Sequence, residues 1–477
     1  MHSTTQHGWD VVRAEFQRIW GYSDFRPPQG EIVRCLLEGK DSLIILPTGG
    51  GKSICFQLPA LMQQGLTLVV SPLVALMENQ VQELRSRDLP AASLHNEVSA
   101  HQRRRTLQNL QRLRLLYLSP ETLLSSTVWE RLCDPKLKIN GLILDEAHCL
   151  VQWGDTFRPA YRRLGAVRPA LLKHKPPGSQ IAIAAFTATA DPAAQRIIRD
   201  CLQLQNPVQF LNNPYRENLA LSVQTVWTPR GRRQTLLNYI REHKDTAGLV
   251  YVRTRRDSEE LAAWLGEKGF RTTGYHAGLS PQERRQVENA WINDEMLFVI
   301  CTSAFGMGIN KPNVRWVIHY HAPMLLSEYV QEVGRAGRDG KPSKALTLVS
   351  ERTGWLDPDD KQRQQFFRER ERSLLRTAQN LAGQLPKLGE VATVSRQFKD
   401  GAIALSLLHS SGQLRWTDPF HYVIQSKANS AVPQTAQPIE AYLYGRGCRW
   451  QYLLRAFGFT TEAEGFCCGT CDRCLRR

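Results

Sequence analysis

The stretch Leu46-Pro-Thr-Gly-Gly-Gly-Lys-Ser53 sits between an apolar run, Asp41–Leu46 (DSLIIL), and SICFQLPALMQ, whose apolar residues recur at helical spacing. A strand that stops at a glycine-rich loop and resumes as a helix aims backbone N–H groups at a phosphate, with the helix N-terminus behind them. Such a loop needs a parallel α/β sheet to hold it. Further along, Leu144-Asp-Glu-Ala-His148 ends another apolar run with two adjacent carboxylates. Strands of this kind deliver polar groups to the C-terminal edge of the sheet, where α/β sites lie. The two segments together imply a site for a nucleoside triphosphate and Mg²⁺.

The residue roles follow from chemistry. Thr48, Gly49, Gly50 and Gly51 form the turn, Lys52 meets the β- and γ-phosphates, and the Ser53 hydroxyl ligates Mg²⁺. Asp145 is the expected carboxylate ligand of that ion, and Glu146 orients or deprotonates the attacking water. The strict phosphate-loop pattern places glycine where Leu46 stands.

Apolar runs recur at Thr67–Val70, Leu115–Leu118, Gly141–Leu144 and Ile181–Phe186, each followed by polar or helical sequence. A second set lies at Gly248–Val252, Thr272–Tyr275, Phe298–Cys301, Trp316–His319 and Ala345–Val349. Continuous apolar strands alternating with helices predict parallel sheets covered on both faces. The expected organisation is a nucleotide-binding lobe at 1–205, a second lobe at 206–350, a helical connector with a further module at 351–430, and a cysteine-rich module at 431–477. In the third segment, Leu388–Asp400 and Ala402–Ser410 read as helices and Gln413–Trp416 and His421–Gln425 as strands. That is the outline of a winged helix, and a generic α+β connector fits equally. Residues 426–438 (SKANSAVPQTAQP) read as a linker.

The net charge of +16 points to a polyanionic partner, nucleic acid above all. Residues 361–477 carry 17 Lys/Arg against 9 Asp/Glu, so half of the excess falls in the last quarter of the chain. No apolar run is long enough to span a membrane, and the N-terminus lacks a secretory pattern, so a cytoplasmic protein is expected. Five of the 11 cysteines (Cys448, Cys467, Cys468, Cys471, Cys474) fall at the C-terminal end. In a cytosolic chain this clustering predicts metal rather than disulfides. Cys468, Cys471 and Cys474 at tight spacing, with Cys448 as the fourth thiolate, suit structural Zn²⁺ in a tetrahedral set. Cys467 is an alternative to Cys468.

Trp153, Phe157 and Tyr161 alternate with Arg158, Arg162 and Arg163 just beyond the acidic pair. Aromatic faces interleaved with cations suit stacking on single-stranded bases and contact with phosphates.

Taken in order, these motifs resemble the RecQ family of superfamily 2 DNA helicases. The resemblance rests on GYSDFRPPQGEI, LPTGGGKS (Leu46 included), DEAH, CLVQWGDTFRPAYRRL, FTATA, AFGMGINKPNV and QEVGRAGRDG, and it covers residues 16 to about 350. It implies two RecA-like lobes that bind ATP and Mg²⁺ between them. It implies that Tyr22 stacks on adenine, that Arg26 and Gln29 contact the base, and that Arg335 and Arg338 reach the γ-phosphate from the second lobe. FTATA would couple hydrolysis to DNA. For His148, metal coordination is one reading, and a link from the DEAH strand to the second lobe is the expected one. Cys468, rather than Cys467, completes the zinc set. The implied activity is ATP-dependent 3′→5′ unwinding of duplex or branched DNA in repair or recombination, by a cytoplasmic, nucleoid-associated monomer. The tail departs from the usual family order, in which the zinc module directly follows the second lobe. A DNA-dependent ATPase that translocates without separating strands is the main alternative.

Overall fold

The computed structural model describes residues 8–151, 158–305, 311–425 and 439–476. The first lobe holds seven strands: β1 (Ser42–Ile45), β2 (Leu66–Val70), β3 (Ala91–Leu94), β4 (Leu115–Leu118), β5 (Ile139–Leu144), β6 (Ala182–Thr187) and β7 (Val208–Leu211). They form one parallel sheet in the order β3-β4-β2-β5-β6-β1-β7. The second lobe holds β8 (Leu219–Val226), β9 (Ala247–Tyr251), β10 (Gly274–Tyr275), β11 (Phe298–Cys301), β12 (Val314–His319) and β13 (Ser343–Ser350). These are parallel too, in the order β10-β11-β9-β12-β13-β8.

The central strands are apolar throughout because both of their faces are covered. In β1, Leu43 and Ile45 enter the cluster on one face, whereas Ile44 enters the cluster on the other. The period-two alternation of strand side chains thus feeds two cores from one run. β3, β7 and β8 each lie at a sheet edge and carry weaker apolar signals, and the sequence pattern passes over them. The boundary between lobes moves for the same reason. β7 pairs with β1 (Ser42 opposite Val208), so the first lobe runs through Leu211 rather than ending at 205.

Asp41 fixes the base of the phosphate-loop strand. Its carboxylate takes Arg168 at 2.8 and 2.6 Å and accepts from the N–H groups of Ile183 and Gln205. Its own carbonyl accepts from Val208. One buried acid therefore ties β1, β6 and β7 together.

Beyond the lobes, a long helix, Asp359–Ala382, leads to β14 (Leu388–Glu390), the helices Val391–Gln397 and Gly401–Ser410, β15 (Leu414–Trp416) and β16 (His421–Ile424). The last three strands form an antiparallel sheet in the order β14-β16-β15. This is the winged-helix outline, with one difference from expectation: Leu388–Glu390 is strand, not helix, because it pairs with His421–Val423. The module packs on the first lobe. Ser406 donates to the Pro159 carbonyl at 3.2 Å, Arg163 donates to the Pro419 carbonyl at 3.2 Å, and Phe420 packs edge-on against Trp129. Its second helix is buried along most of its length, and Pro419, at the turn between β15 and β16, is buried as well.

The cysteine-rich module packs on the second lobe instead. Tyr442, Trp450, Leu453 and Phe457 join the core cluster of Leu219, Leu221 and Tyr329. The Trp450 indole N–H donates to the Leu219 carbonyl at 3.0 Å, and the Tyr442 hydroxyl donates to Tyr329 at 2.8 Å.

Removing the Asp41 carboxylate leaves Arg168 buried without its counter-charge, so Asp41→Ala is expected to destabilise the first lobe by about 3–5 kcal/mol. Urea unfolding followed by tryptophan fluorescence checks this. A loss below about 1 kcal/mol, the size of an exposed ion pair, contradicts the assignment.

Candidate nucleotide site and its relatives

The phosphate loop leaves β1 and closes into the helix Lys52–Met62, whose N-cap, Gly51, has φ +73°. Any Cβ there would meet the Gln29 amide at 2.3 Å in a backbone region that L-residues avoid. Gln29 is buried and accepts from Arg26 N–H while donating to the Gly50 carbonyl at 3.1 Å. The segment carrying Tyr22, Arg26 and Gln29 is thus joined directly to the phosphate loop. Tyr22 is 51% exposed, with its ring against Phe16 at 5.7 Å. Ser53 accepts from Gln80 at 2.9 Å, and Gln80 in turn lies 3.5 Å from Gln57.

β5 delivers Asp145 and Glu146 to the same edge. Lys52 Nζ lies 3.7 Å from Glu146, and His148 Nδ1 lies 3.2 Å from the other oxygen of that carboxylate. Burial pushes both carboxyls up. For Asp145 burial wins, aided by the Glu146 charge, and its pKa rises to about 6. For Glu146 the neighbouring charges of Lys52, His148 and Arg335 outweigh burial, and the group stays well below the usual carboxylate range. Burial opposes a charge on His148, but Cys149 and Glu146 overcome it and raise its pKa. Two adjacent carboxyls are therefore driven apart in acidity, with Glu146 the more acidic.

His148 Nδ1 also lies 3.1 Å from Thr187 Oγ1, in FTATA. The link from the DEAH strand therefore runs within the first lobe, not to the second lobe as expected. β5 and β6 are sheet neighbours, and the short geometric reach of imidazole favours the adjacent strand.

The second lobe presents Gly334–Arg338 to the loop. The Arg338 stem lies 3.6 Å from where a Cβ on Gly49 would stand, and Gly334 approaches Thr48 similarly at 3.3 Å. Arg335 is buried and Arg338 partly so, and burial followed by the Arg335 charge lowers Arg338 to about 9. This places two desolvated guanidinium groups at the lobe boundary, and their positive field falls on Glu146. The sequence offers little warning of what holds them. Arg216 donates to the carbonyls of Gly334 (3.2 Å) and Gly337, and Asn218 donates to those of Gly337 and Lys341, both at 2.8 Å. Glu332 carries a bidentate bond from Arg253 (3.1 and 2.8 Å) and lies 2.9 Å from His319. Burial raises Glu332, yet Arg253 and His319 outweigh it and bring it down to about 2. The motif QEVGRAGRDG carries two acids, Glu332 and Asp339, beside its two arginines, and nothing local in it marks Glu332 as the buried one. Arg216 and Asn218 act on carbonyls far away in sequence, which no local pattern records.

Trp153 and Phe157 lie outside the described residues. Arg158 is partly exposed, 3.5 Å from Glu121. Tyr161 corrects the sequence expectation: it is fully buried in the first-lobe core with Leu144, Leu150 and Ile198, so its ring offers no face to a base. A large apolar ring on the turn Pro159–Ala166 finds more to bury against inward than outward. Arg162 is buried as well, and Arg163 is committed to the Pro419 carbonyl.

At the C-terminal end, the sulfurs of Cys448, Cys468, Cys471 and Cys474 lie within 4.8 Å of one another. The N–H groups of Arg449 and Cys468 point at Cys471 and Cys448 sulfurs, at 3.5 and 3.4 Å. Four convergent thiols with backbone donors around them are a donor set that fits a tetrahedral thiophilic ion. Cys467 is exposed, 3.3 Å from Cys474, and outside the fourfold cluster.

Two parallel-sheet lobes meeting over a phosphate loop, an acidic pair and two arginines define an ATP-hydrolysing helicase core. The family described as DEAD/DEAH box helicase matches residues 26–197, and the helicase conserved C-terminal domain matches 231–340. The ATP-dependent DNA helicase RecQ of Synechocystis sp. is 52% identical over 466 residues, covering 96% of this chain and 97% of that protein. A probable ATP-dependent DNA helicase RecS of Bacillus subtilis is 39% identical, over 69% of this chain and 65% of its own length. The chain belongs to the RecQ family of ATP-dependent DNA helicases. Solved structures add the fold alone. Mycobacterium smegmatis Lhr bound to ssDNA and AMP-PNP has a TM-score of 0.58 at 19% identity, covering 87% of this chain and 60% of Lhr. Mss116 bound to ssRNA has a TM-score of 0.60 at 18% identity, covering 71% and 73%. No helix of the described residues is long and apolar enough to cross a membrane.

Thr187→Val keeps the side-chain shape but removes the hydroxyl beside His148. The expected result is basal ATPase within a few-fold of the parent and stimulation by single-stranded DNA reduced at least tenfold. Parallel ATPase titrations with and without DNA measure both. Undiminished stimulation contradicts a coupling role for this contact.

Proposed function

We propose that this chain is a 3′→5′ motor on single-stranded DNA that unwinds duplex or branched DNA, acting as a monomer in repair or recombination, in the cytoplasm at the nucleoid. The carrying observation is the meeting of Lys52 and Glu146 of one lobe with Arg335 and Arg338 of the other. A site divided between two lobes is completed only when they close, so each turnover is tied to a lobe movement.

In this reading Tyr22, Arg26 and Gln29 hold the base, and the Thr48–Gly51 backbone cradles the phosphates. Lys52 turns from Glu146 to the phosphates. Glu146 thereby loses one of its cations and gains proton affinity as the attacking water needs a base. Ser53 and Asp145 would hold Mg²⁺, which when bound neutralises phosphate charge. Arg335 and Arg338 stabilise charge on the transferring group, an interaction that rests on position rather than on covalent chemistry. Trp153, Phe157 and Arg158 would meet the DNA strand and report it to the neighbouring acidic pair. Cys448, Cys468, Cys471 and Cys474 would hold Zn²⁺ as a structural ion, since four thiolates leave no open position.

One observation favours a second reading, a translocase that does not separate strands. The buried second helix and hairpin turn of the winged-helix module are packed on the first lobe, and no wedge is assigned among the described residues.

Strand displacement on matched duplexes with a 3′ or 5′ single-stranded tail separates the two. Unwinding of the 3′-tailed duplex alone is expected, with none by Lys52→Ala, which still binds DNA. DNA-stimulated ATP hydrolysis without displacement on either substrate would select the translocase. For the tail, metal analysis of the purified protein is expected to give one zinc per chain. Cys471→Ala is expected to lose that zinc and lower the melting temperature. Full zinc retention in that variant contradicts the ligand set.

A further inference from the structure

The second lobe carries a groove that the nucleotide site does not use. It runs between the helices Pro229–Glu242 and Arg255–Glu267, with a volume of about 630 Å³, and is closed at one end by Tyr320, His321 and Asp359. From Pro229 to Arg241 a helix rises about 18 Å, enough for two or three nucleotides of an extended strand. Leu237 and Leu261 form its floor.

Its charge is one-sided. Five cationic side chains line it against three carboxylates. Two of those carboxylates are engaged: Glu260 pairs with Arg256 at 2.5 Å, and Asp257 with Arg363 at 3.4 Å. Arg232 is engaged as well, buried between Asp357 and Asp360. Arg230, Arg241 and Lys268 are exposed, and no carboxylate of the described residues pairs with them. Three unpaired cations thus face the groove, against Asp359 as the one lining carboxylate with no ion pair among the described residues.

The groove also offers rings. The Arg233 guanidinium lies 5.7 Å from the centre of the Trp264 ring, and Arg232 lies 5.7 Å from that of Tyr320. Guanidinium planes beside aromatic rings are stacking partners for bases, and unpaired cations alongside them suit phosphates.

We propose that this groove is a second binding site for single-stranded nucleic acid, outside the cleft between the lobes, with Arg230, Arg241 and Lys268 on the phosphates and Trp264 with Arg233 beside a base. The inference rests on the DNA-motor reading above and extends it to a place where the strand is held away from the reacting lobes.

The test uses the full-length protein and the variant Arg230→Ala/Arg241→Ala/Lys268→Ala, whose exposed side chains carry no packing. Binding of a labelled 25-nucleotide oligo(dT) is followed by fluorescence anisotropy across a salt series, with thermal melts to check the fold. Losing three phosphate contacts should weaken binding about 10- to 100-fold at 0.1 M salt and make the slope of log K on log salt shallower by about 2. Unchanged affinity and slope overturn the groove while leaving the motor reading intact. Absence of binding by the parent, with no DNA-stimulated ATPase, overturns both. A competition arm with dTMP distinguishes the ligand's source. Failure of dTMP to displace the strand at millimolar concentration supports a polymer site. Displacement that disappears in the variant overturns it in favour of a free nucleotide.

Discussion

Glu146 is a largely buried carboxylate, its side chain 15% exposed, held ionised by three cations that come from different places: Lys52 from the phosphate loop, His148 from its own turn and Arg335 from the second lobe. Its backbone adopts the left-handed region (φ +53°), which a residue with a side chain enters only when its surroundings hold it there. The seam of the molecule follows from this arrangement. A buried charge left with one partner fewer costs several kcal/mol, so any movement of Lys52 or Arg335 is felt at Glu146. In the proposed reading, nucleotide would draw Lys52 away and lobe opening would draw Arg335 away, so both would act on the same group. The adjacent Asp145, pushed toward neutrality by burial and by Glu146 itself, has the opposite need: it gains from a cation arriving.

The sequence made the centre of each sheet readable and its margins opaque. Strands such as Leu115–Leu118 are covered on both faces, and their whole composition reports it. β7 (VQFL) and β8 (LALSVQTV) have edges or faces in solvent, and their mixed patterns resemble linker. The same physics explains Tyr161. Its neighbours Arg158, Arg162 and Arg163 suggested an exposed basic and aromatic surface, but a ring next to a lobe core gains more by turning inward. The residues that position the two arginines stayed hidden for a different reason. Arg216 and Asn218 bind backbone carbonyls, and a carbonyl leaves no trace in sequence. His148 was expected to reach the second lobe, yet its contact is to the adjacent strand rather than across the cleft.

The tail shows how modules of known outline can be put to use differently by their packing. A helix pair followed by a hairpin suggests a nucleic-acid reader, and the antiparallel order β14-β16-β15 supports the outline. Yet the second helix buries Leu405 and Leu408 with Ala166 of the first lobe, and the hairpin sets Phe420 against Trp129. The module sits beside the turn Pro159–Ala166 that leaves the aromatic-rich loop. A 466-residue likeness to the Synechocystis RecQ cannot be contained in the two lobes, so this tail is shared with that relative.

The two tail modules also divide between the lobes. The winged-helix outline is fixed to the first lobe, and the cysteine-rich module shares a core with the second through Trp450 and Tyr442. Trp450 lines a small cavity with Pro47, Thr48 and Gly334, at the place where the phosphate loop meets the second lobe. On the other side, Gly458 comes so close to Pro192 of the first lobe that a Cβ there would stand 2.7 Å from its ring. The cysteine-rich module therefore touches both lobes at the seam. Holding its four cysteines together sets the position of Arg449, whose guanidinium is pinned by Asp472 at 2.9 and 3.0 Å, and through the same helix the position of Trp450. A structural metal in that module would stiffen one side of the seam across which ATP must act. Its energetic consequence would then lie in lobe closure as much as in the fold of the tail.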